Sequence, residues 1–329
     1  MPQVSVIIPL YNAASFIVET LHSVIASQGV SLEIIVVDDA SLDDGPERVR
    51  NLKHPLITLL QNTGNKGASA ARNVGIAHAT GQYVLFLDGD DLIAPDKIQK
   101  QLQRLLSTAN TICFGDTRYF FHDEEDPYTQ KSEPNQQFYF DSNQPIDFIL
   151  NLYGLNGNAG MIPIHAWLCP IDSIRNAGPW NESLSVDDDG EYFCRVMVQT
   201  HSILYAPDAI GYYRKFRHRK SLSKDKNRKG MESLIRAAEL KQMHIAHAAN
   251  NHQHQLAKVF NKVYMEAAMN TWPVFPDLTR KCIRNAKATG CNDHTPLLGN
   301  PWLEKLKPWF GWQLLSYLAY YKNHLFSKK

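Results

Sequence analysis

Short runs of apolar and β-branched residues alternate with helix-like patterns through residues 4–87, and this alternation constrains the fold more than any other feature. The predicted strands are VSVII at 4–8, LEIIVV at 32–37, ITLL at 57–60 and YVLFL at 83–87. Alternation of strands and helices is typical of a mostly parallel sheet with helices packed on its faces. The sequence therefore predicts an α/β fold with a Rossmann-like, mostly parallel sheet flanked by helices.

Helical patterns fill the gaps between these strands and dominate the rest of the chain. Apolar residues from Ile17 to Ile25 recur at the spacing of one helical face. Beyond about residue 225 no strand pattern returns, and a second apolar stripe runs from Val259 to Ala267. We therefore predict a sheet-containing domain over residues 1–225 and a helical accessory region over residues 226–329.

The composition narrows the class of protein. The 329 residues carry 34 basic and 33 acidic side chains, a formal net charge of +1, so no overall field attracts nucleic acid. The segment MPQVSVIIPLYN lacks the positive region of a signal peptide, and no apolar run reaches the length of a membrane-spanning helix. The five cysteines are scattered without zinc-binding spacing. We expect a cytoplasmic protein with reduced thiols and no nucleic-acid partner.

Acidic residues follow two of the predicted strands. Asp38 and Asp39 come after the second strand, and Asp88, Asp90 and Asp91 come after the fourth. In an open parallel sheet, ligands bind beyond the carboxyl ends of the strands. Two carboxylates separated by one residue repel each other, and a divalent cation that also binds phosphate oxygens offsets this repulsion. Ordinary Asp-Gly turn chemistry is the alternative, and both interpretations stand at this point.

Other cation and phosphate motifs do not fit the sequence. DGDDLIAP has leucine and isoleucine where an EF-hand loop has a ligand and a glycine. GNKGAS at 64–69 is not a P-loop, and no GxGxxG opens the first helix. The residues therefore support neither a P-loop NTPase nor a dinucleotide-binding oxidoreductase.

Four segments follow one another in the order VSVIIPLYNAASFI, IIVVDDASLDDG, NTGNKGASAARNVGI and YVLFLDGDDLIAPDKI. In this order and spacing they resemble the nucleotide-sugar half of the family 2 inverting glycosyltransferases, which have the GT-A fold. The resemblance implies that Asp39 hydrogen-bonds the nucleobase and that Pro9 and Tyr11 line the base and ribose pocket. It also implies that Arg72 lies near the nucleotide.

The same resemblance identifies DGD at 88–90 as the DxD motif of the family. It implies that Asp90 is a direct ligand of a Mg²⁺ or Mn²⁺ ion, and that Asp88 contacts the ribose or a metal-bound water. On this interpretation the acidic turn holds the ion that carries the diphosphate of the sugar donor.

A second acidic cluster offers a base for the acceptor hydroxyl. In GPWNESLSVDDDGEYFCRV at 178–196, Asp187, Asp188, Asp189 and Glu191 are close together. Like-charge repulsion and partial burial raise a carboxyl pKa toward a value useful for a base. A helix N-terminus, where carboxylates interact well with the helix dipole, is the alternative. The segment resembles the family's acidic motif, which implies Asp189 as the base, with Asp188 as the alternative.

The acceptor side is predicted from MIPIHAWLCP at 161–170. Trp167 either stacks on a sugar face or packs in the core. His165 is either a hydrogen-bonded structural residue or an acceptor contact. We group Glu191 of the acidic cluster with them as an acceptor contact.

The segment YYRKFRHRKSLS at 212–223 is the most basic stretch of the chain. Fixed cations stabilise the negative charge of a departing diphosphate, although a solvated surface run is the ordinary interpretation of such a segment. The segment resembles the family's Tyr-Arg segment followed by His and Ser. That resemblance implies a metal or diphosphate contact for His218, and Arg214, Arg217 and Arg219 are candidates for the same contact with the donor.

The last predicted feature is PWLEKLKPWFGWQLLSYLAYYKNHLFSKK at 301–329, which combines tryptophans and lysines with an apolar stretch. Peripheral binding to the inner face of a membrane, packing on the first domain and a homodimer contact are alternatives for it.

Together these features predict a metal-dependent inverting glycosyltransferase. It would move a sugar from a nucleotide-diphosphate sugar, with UDP the favoured nucleotide, to a hydroxyl of a glycan or lipid-linked acceptor, as in cell-surface polysaccharide synthesis. One alternative is a sugar nucleotidyltransferase, which would carry a Gly-rich signature where this chain has PLYNAASFI. The other is a non-catalytic nucleotide- or glycan-binding protein, against which the intact DDDGE argues without excluding it.

Overall fold

The computed structural model of the protein describes residues 2–106, 108–122, 124–130, 138–217, 227–249 and 251–326, with the main chain alone for 323–326. The chain divides into two compact units. The sheet unit comprises Met1–Ile149, Gly160–Ser183 and Asp188–Ser221, and the helical unit comprises Leu150–Ala159, Leu184–Asp187 and Leu222–Lys329. Each unit has its own apolar core.

One sheet forms the centre of the sheet unit. Its strands are β1 (Val4–Leu10), β2 (Leu32–Asp38), β3 (Ile57–Gln61), β4 (Tyr83–Phe86), β5 (Leu92–Ile93), β6 (Thr111–Phe121), β7 (Trp167–Pro170) and β8 (Ser202–Lys215). Their order in the described sheet is β3-β2-β1-β4-β7-β6-β8-β5. The four strands predicted from the sequence are all present, and they are neighbours.

The first four strands run parallel, as predicted. β1 pairs in parallel with β2 and with β4, and Val4 lies opposite Leu32 and Tyr83. β3 pairs in parallel with β2. Beyond β4 the sheet becomes mixed, because β7 is antiparallel to both β4 and β6, and β5 is antiparallel to β8. The predicted α/β class is therefore confirmed.

Helices cover the sheet. They are α1 (Ile17–Ile25), α2 (Gly45–Asn51), α3 (Ala68–His78), α4 (Lys97–Leu105), α5 (Pro145–Leu152), α6 (Ile171–Asn176) and α7 (Asp188–Val198). Ile17, Leu21 and Val24 of α1 are fully buried, which confirms the predicted apolar face. α3 packs so closely on β1 that a Cβ atom added to Gly75 would lie 2.3 Å from Cγ2 of Ile7. This close approach fixes α3 on the sheet, which matters for the site below.

The helical unit contains the long helices of the chain. They are α8 (Arg228–Ala248), α9 (Gln253–Thr271), α10 (Pro276–Ala288) and α11 (Pro301–Phe326). The predicted stripe on α9 is confirmed, since Val259, Phe260, Tyr264 and Ala267 are buried. Met231 of α8 packs with this part of the unit in a core shared by α9 and α10.

α11 exposes much of its apolar surface. It is interrupted at Gly311, where φ is 71°, three residues after Pro308. Its exposed apolar side chains include Trp302, Trp309, Phe310, Leu314, Leu318 and Tyr321. Among the described residues, no helix has both the length and the hydropathy required to cross a bilayer. Membrane contact and dimer contact through this helix stay predictions.

A lysine is buried inside the sheet unit. The side chain of Lys97, at the start of α4, is 0% exposed. Its Nζ donates to Oε1 of Gln101 at 2.5 Å and lies 3.5 Å from the carbonyl oxygen of Ala166. Burial lowers the pKa of Lys97 to about 7. The ammonium form is therefore disfavoured in the folded protein relative to the unfolded chain.

This lowered pKa predicts a pH dependence of stability. Between about pH 7 and about pH 8.5 the unfolded chain keeps the Lys97 proton while the folded protein releases it, so stability rises with pH, by up to about 1.4 kcal/mol per pH unit. The substitution Lys97→Met should remove this rise. Urea unfolding across that pH range measures it.

The control for this experiment is Lys100→Met, since Lys100 lies on the same helix, partly exposed, in a surface pair with Asp96. That variant should keep the wild-type slope. An unchanged slope in Lys97→Met would show that Lys97 is charged in the folded protein throughout this range.

Candidate active site

The parallel register of the sheet gathers predicted site residues at one edge. β1, β2 and β4 end side by side, and Tyr11, Asp39 and Asp88 follow or nearly follow their last residues. The amide of Asp39 donates to the carbonyl oxygen of Leu10 at 2.8 Å, which joins two of these strand ends directly. Tyr11 is 45% exposed at this edge, and Pro9, two residues earlier in β1, is half-buried.

Asp39 holds the loop that leads into α3. Its carboxylate is buried, with the side chain 2% exposed. Oδ1 accepts hydrogen bonds from Nδ2 of Asn62 at 2.8 Å and from the amide of Lys66 at 3.0 Å. Oδ2 accepts from the amides of Gly67 at 2.7 Å and Lys66 at 3.1 Å. A nucleobase that hydrogen-bonds Asp39 would therefore compete with contacts that the loop already makes.

The acidic turn after β4 has an anchored end. Asp91 is buried, and its Oδ1 accepts the amide of Arg214 at 2.9 Å. Its Oδ2 lies 3.0 Å from Nδ1 of His165, whose other ring nitrogen is 3.3 Å from Oγ1 of Thr117. Burial lowers the pKa of His165 to about 3, so its imidazole is neutral at pH 7. Burial and the charge of Asp88 raise the pKa of Asp91.

Arg214, a predicted donor contact, lies behind this turn. Its side chain is buried, and Nε donates to the carbonyl oxygen of Asp90 at 2.6 Å. Its other nitrogens donate to Oε2 of Glu19 at 2.7 Å and to Nδ1 of His122 at 3.0 Å. The structure thus directs this guanidinium at protein groups, where it supports the turn that carries Asp90.

The rest of the basic segment is partly described. Arg217 is exposed, and its Nε donates to both carboxylate oxygens of Glu124 at 2.7 and 2.8 Å. Surface pairs of this kind contribute little to stability, so this side chain is available to a ligand. His218 lies outside the described residues, and its predicted contact stays a prediction.

Arg72 joins the two acidic clusters. From α3, its Nη2 donates to Oδ1 of Asp88 at 2.8 Å and its Nη1 donates to Oδ2 of Asp188 at 3.2 Å. Oγ of Ser69 donates to the same Asp188 oxygen at 2.8 Å. Burial alone lowers the pKa of Arg72, but Asp88 and Asp188 outweigh it and raise that pKa. The turn after β4 and the start of α7 are therefore held around one charged group.

The two candidates for the base differ in their contacts. Asp188 accepts from Arg72 and Ser69, as just described, whereas Asp189 is half-buried and accepts the amide of Gly190 at 2.8 Å. The preceding Asp187 pairs with Lys241 within the helical unit at 2.5 Å. The residues of DDD thus have three different environments, although the sequence presents them as one cluster.

The three predicted acceptor residues are buried. Trp167 stacks on Phe193 with ring centroids 5.2 Å apart. Its side chain is buried, so the structure shows core packing, the alternative to stacking on a sugar. Glu191 is buried and pairs with Arg195 through both carboxylate oxygens at 2.8 and 2.9 Å. His165 is fully buried beside Asp91. None of the three side chains offers a surface to an acceptor, because each is enclosed by protein groups.

Sequence reasoning missed Ser69, Glu19 and Trp180 at this site. Ser69 and Arg72 are three residues apart, so both lie on one face of a helix, and that spacing was a usable signal. Glu19 lies outside the four motif segments and Trp180 lies in the acidic segment at 178–196, but nothing in the sequence indicates their contacts.

The residues present fit a hard divalent cation. Asp88 and Asp90 are half-buried carboxylates on one turn, and oxygen ligands of this kind suit Mg²⁺ or Mn²⁺. Within the described ranges, no group of three or more His, Cys, Asp or Glu side chains is arranged to hold a metal ion. An ion here would complete its shell with water and phosphate oxygens, as Mg²⁺ commonly does.

The chain is similar to known proteins over its first half. Residues 5–168 match the family described as Glycosyl transferase family 2. The succinoglycan biosynthesis protein ExoO of Rhizobium meliloti is 36% identical over 104 residues, which are 32% of this chain and 30% of that protein. An Escherichia coli relative, UDP-Glc:alpha-D-GlcNAc-diphosphoundecaprenol beta-1,3-glucosyltransferase WfgD, is 34% identical over 34% of this chain and 44% of its own length. The matches thus span less than half of either relative.

A solved structure resembles the chain over most of its length. S. aureus TarS 1–349, crystallised in complex with UDP-GlcNAc, superposes with a TM-score of 0.60 at 18% sequence identity. The likeness covers 87% of this chain and 90% of that one. It confirms the predicted GT-A fold.

The contacts of Asp39 predict a specific loss of stability. In Asp39→Asn one carboxylate oxygen becomes an amide donor, so a single oxygen remains for the amides of Lys66 and Gly67 and for Nδ2 of Asn62, and Lys66 loses one of its two contacts with this side chain. We expect a loss of about 1–3 kcal/mol in the free energy of unfolding. Urea denaturation measures it.

Asp38→Asn is the matched control. Asp38 is equally buried, but it accepts one backbone amide, from Ser41, and one side-chain amide, from Gln61, which is able to turn over. Its loss should stay below about 1 kcal/mol. Equal losses in the two variants would contradict a special role of Asp39 in holding the loop.

Proposed function

Because the chain belongs to glycosyl transferase family 2, we propose that it is an inverting glycosyltransferase that uses a nucleotide-diphosphate sugar. The proposed acceptor is a hydroxyl of a glycan or lipid-linked sugar in cell-surface polysaccharide synthesis, which the names of ExoO and WfgD support. The name of WfgD specifies UDP-glucose, and this favours UDP as the nucleotide of the donor here.

The bridge made by Arg72 carries this proposal. An inverting transfer needs a donor site and a base on opposite sides of one reacting carbon, within a few ångströms. Arg72 contacts Asp88 of the first acidic cluster and Asp188 of the second, so both clusters lie within the span of one guanidinium. If each acidic cluster had only a structural role, the two clusters would not need to lie this close to each other.

The donor would occupy the carboxyl edge of β1, β2 and β4. The exposed ring of Tyr11, with Pro9 two residues earlier, offers a surface for the base and ribose, and Asp39 lies beside them. Asp90, with Asp88 next to it, would hold a Mg²⁺ or Mn²⁺ ion. When bound, such an ion offsets the charge of the donor's diphosphate.

Asp189 would act as the base. Its carboxylate accepts the proton of the acceptor hydroxyl, and the acceptor oxygen forms a bond to the anomeric carbon. The bond from that carbon to the diphosphate oxygen breaks, and the nucleoside diphosphate leaves with the electron pair, so the configuration inverts. Asp188 is the alternative, and its Oδ2 already accepts hydrogen bonds from Arg72 and Ser69.

Arg217, which is exposed, would meet the departing diphosphate, with His218 as the further predicted contact. We assign Arg214 to support of the turn. We also propose residues 1–225 as the catalytic domain and residues 226–329 as an accessory region. The proposed setting is cytoplasmic, at the inner face of the membrane where lipid-linked acceptors are found.

Donor binding predicts a metal-dependent thermal shift. UDP with manganese should raise the melting temperature of the wild-type protein, and ligand at about 100 times its Kd adds about 2.7 kcal/mol. Asp90→Ala should abolish the shift, because the ion loses its proposed direct ligand. A panel of UDP, GDP, dTDP and CMP, each with and without manganese, also names the nucleotide.

Asp96→Ala is the control for this panel, since Asp96 lies six residues away, is half-exposed and pairs with Lys100 on the surface. It removes the same charge and should keep the shift. Absence of any nucleotide shift in the wild-type protein would contradict the donor site.

The base assignment predicts a loss of turnover without a loss of binding. In Asp189→Asn, release of UDP from UDP-glucose should fall by about 10²–10⁴-fold, the typical contribution of a general base. The Kd for UDP with manganese, measured by calorimetry, should stay within about threefold of the wild-type value. A wild-type rate of UDP release in Asp189→Asn would move the base to Asp188, whereas no release by the wild-type protein would identify the chain as a binder.

A further inference from the structure

Arg72 has an environment that its predicted role as a nucleotide contact does not explain. Its side chain is 5% exposed, and its two terminal nitrogens are directed at carboxylates 16 and 116 residues away in the sequence. Nε is buried with no hydrogen-bond partner among the described residues. An unsatisfied buried donor costs free energy, so the fold holds this orientation at a cost.

The guanidinium rests on an aromatic layer. Its central carbon lies 4.6 Å from the ring centroid of Trp180. The Trp180 ring stacks on Tyr192 of α7, with centroids 4.1 Å apart and planes 8° apart, and meets Phe86 of β4 edge-on at 5.2 Å. The layer below Arg72 therefore connects the same two elements, β4 and α7, that Arg72 connects by charge.

The neighbouring residue on α3 holds this layer in place. Oδ1 of Asn73 accepts the amide of Trp180 at 2.7 Å, and Nδ2 of Asn73 donates to the carbonyl oxygen of Trp180 at 3.1 Å. Ser69, one turn before Arg72, adds its own hydrogen bond to Asp188. α3 itself is fixed on the sheet by the close contact of Gly75 with Ile7. The orientation of the guanidinium is thus set from three sides.

We propose that Arg72 is a positioning residue of the transfer reaction. It sets the distance between the turn that carries Asp90 and the helix start that carries Asp189. This inference rests on the proposed function, because it assigns those two aspartates to the donor and to the base. A misplacement of about 1 Å between reacting groups costs about 10²-fold in rate, so this distance controls turnover.

The fork geometry of arginine is essential to this role. A guanidinium donates in two directions in one plane, whereas the ammonium of lysine is a single point charge on a flexible chain. Lysine at position 72 keeps the positive charge but reaches one carboxylate at a time. The substitution Arg72→Lys therefore keeps the positive charge at this position but removes the simultaneous contact with both carboxylates.

The test compares Arg72→Lys, Ser69→Ala and Arg195→Lys. Arg195 is the control, because its buried ion pair with Glu191 lies within α7 and does not link α7 to the turn after β4. For each variant we would measure the melting temperature, the Kd for UDP with manganese, and kcat and KM for UDP release from UDP-glucose.

Arg72→Lys should lower kcat by about 30- to 100-fold, with the Kd for UDP and manganese within about threefold of the wild-type value. Ser69→Ala should lower kcat by a smaller factor, since Asp188 keeps its contact with Arg72. Arg195→Lys should lower the melting temperature and leave kcat within about threefold. This split between kcat and binding is the signature of positioning.

Other results would overturn the inference in distinct ways. A large rise in the Kd for UDP in Arg72→Lys, with kcat kept at saturating donor, would make Arg72 a nucleotide contact. A loss of melting temperature alone, as in Arg195→Lys, would make its role structural. If the wild-type protein neither binds UDP with manganese nor releases UDP, the proposed function fails and this inference fails with it.

Discussion

Repulsion between carboxylates is the constraint that organises the carboxyl edge of this sheet. The parallel register brings the ends of β2 and β4 together, and the acidic start of α7 joins them. Several of these carboxylates have fixed partners in the protein. Asp39 accepts hydrogen bonds from loop amides, and Asp91 contacts His165 and a backbone amide. Asp88 and Asp188 both pair with Arg72. Asp90 and Asp189, which we assign to chemistry, lie next to these fixed groups.

The fixed groups explain how an acidic turn keeps one shape before any ligand arrives. Asp91 and Arg214 are 123 residues apart, yet the amide of Arg214 binds Asp91 and its guanidinium binds the carbonyl oxygen of Asp90. The neutral imidazole of His165 completes the network without adding a buried charge. Preorganisation of this kind reduces the rearrangement that donor binding would otherwise require.

The sequence predicted the first half of the sheet well, because strands buried on both faces leave continuous apolar runs that end in polar turns. It did not predict β6 and β8, which mix aromatic, charged and small residues and depend on pairing with each other for their length. At the site, the roles predicted for Asp39, Arg72 and Asp88 stay predictions. Their partners were not predictable, since the contacts of Arg72 with residues 88 and 188 arise only from the tertiary fold.

Burial decides which polar residues face a ligand, and burial is a property of the assembled layers. Glu191 and Trp167 carry chemistry suited to a sugar, but Glu191 is paired along its own helix and Trp167 stacks on Phe193 of that helix. Arg72 is buried as well, yet its surroundings differ, because the groups around it belong to both sides of the proposed reaction. A guanidinium buried between two carboxylates from separate elements fixes their spacing, because removal of either contact leaves a buried charge uncompensated. That fixed spacing is the physical reason to regard Arg72 as part of the reaction geometry.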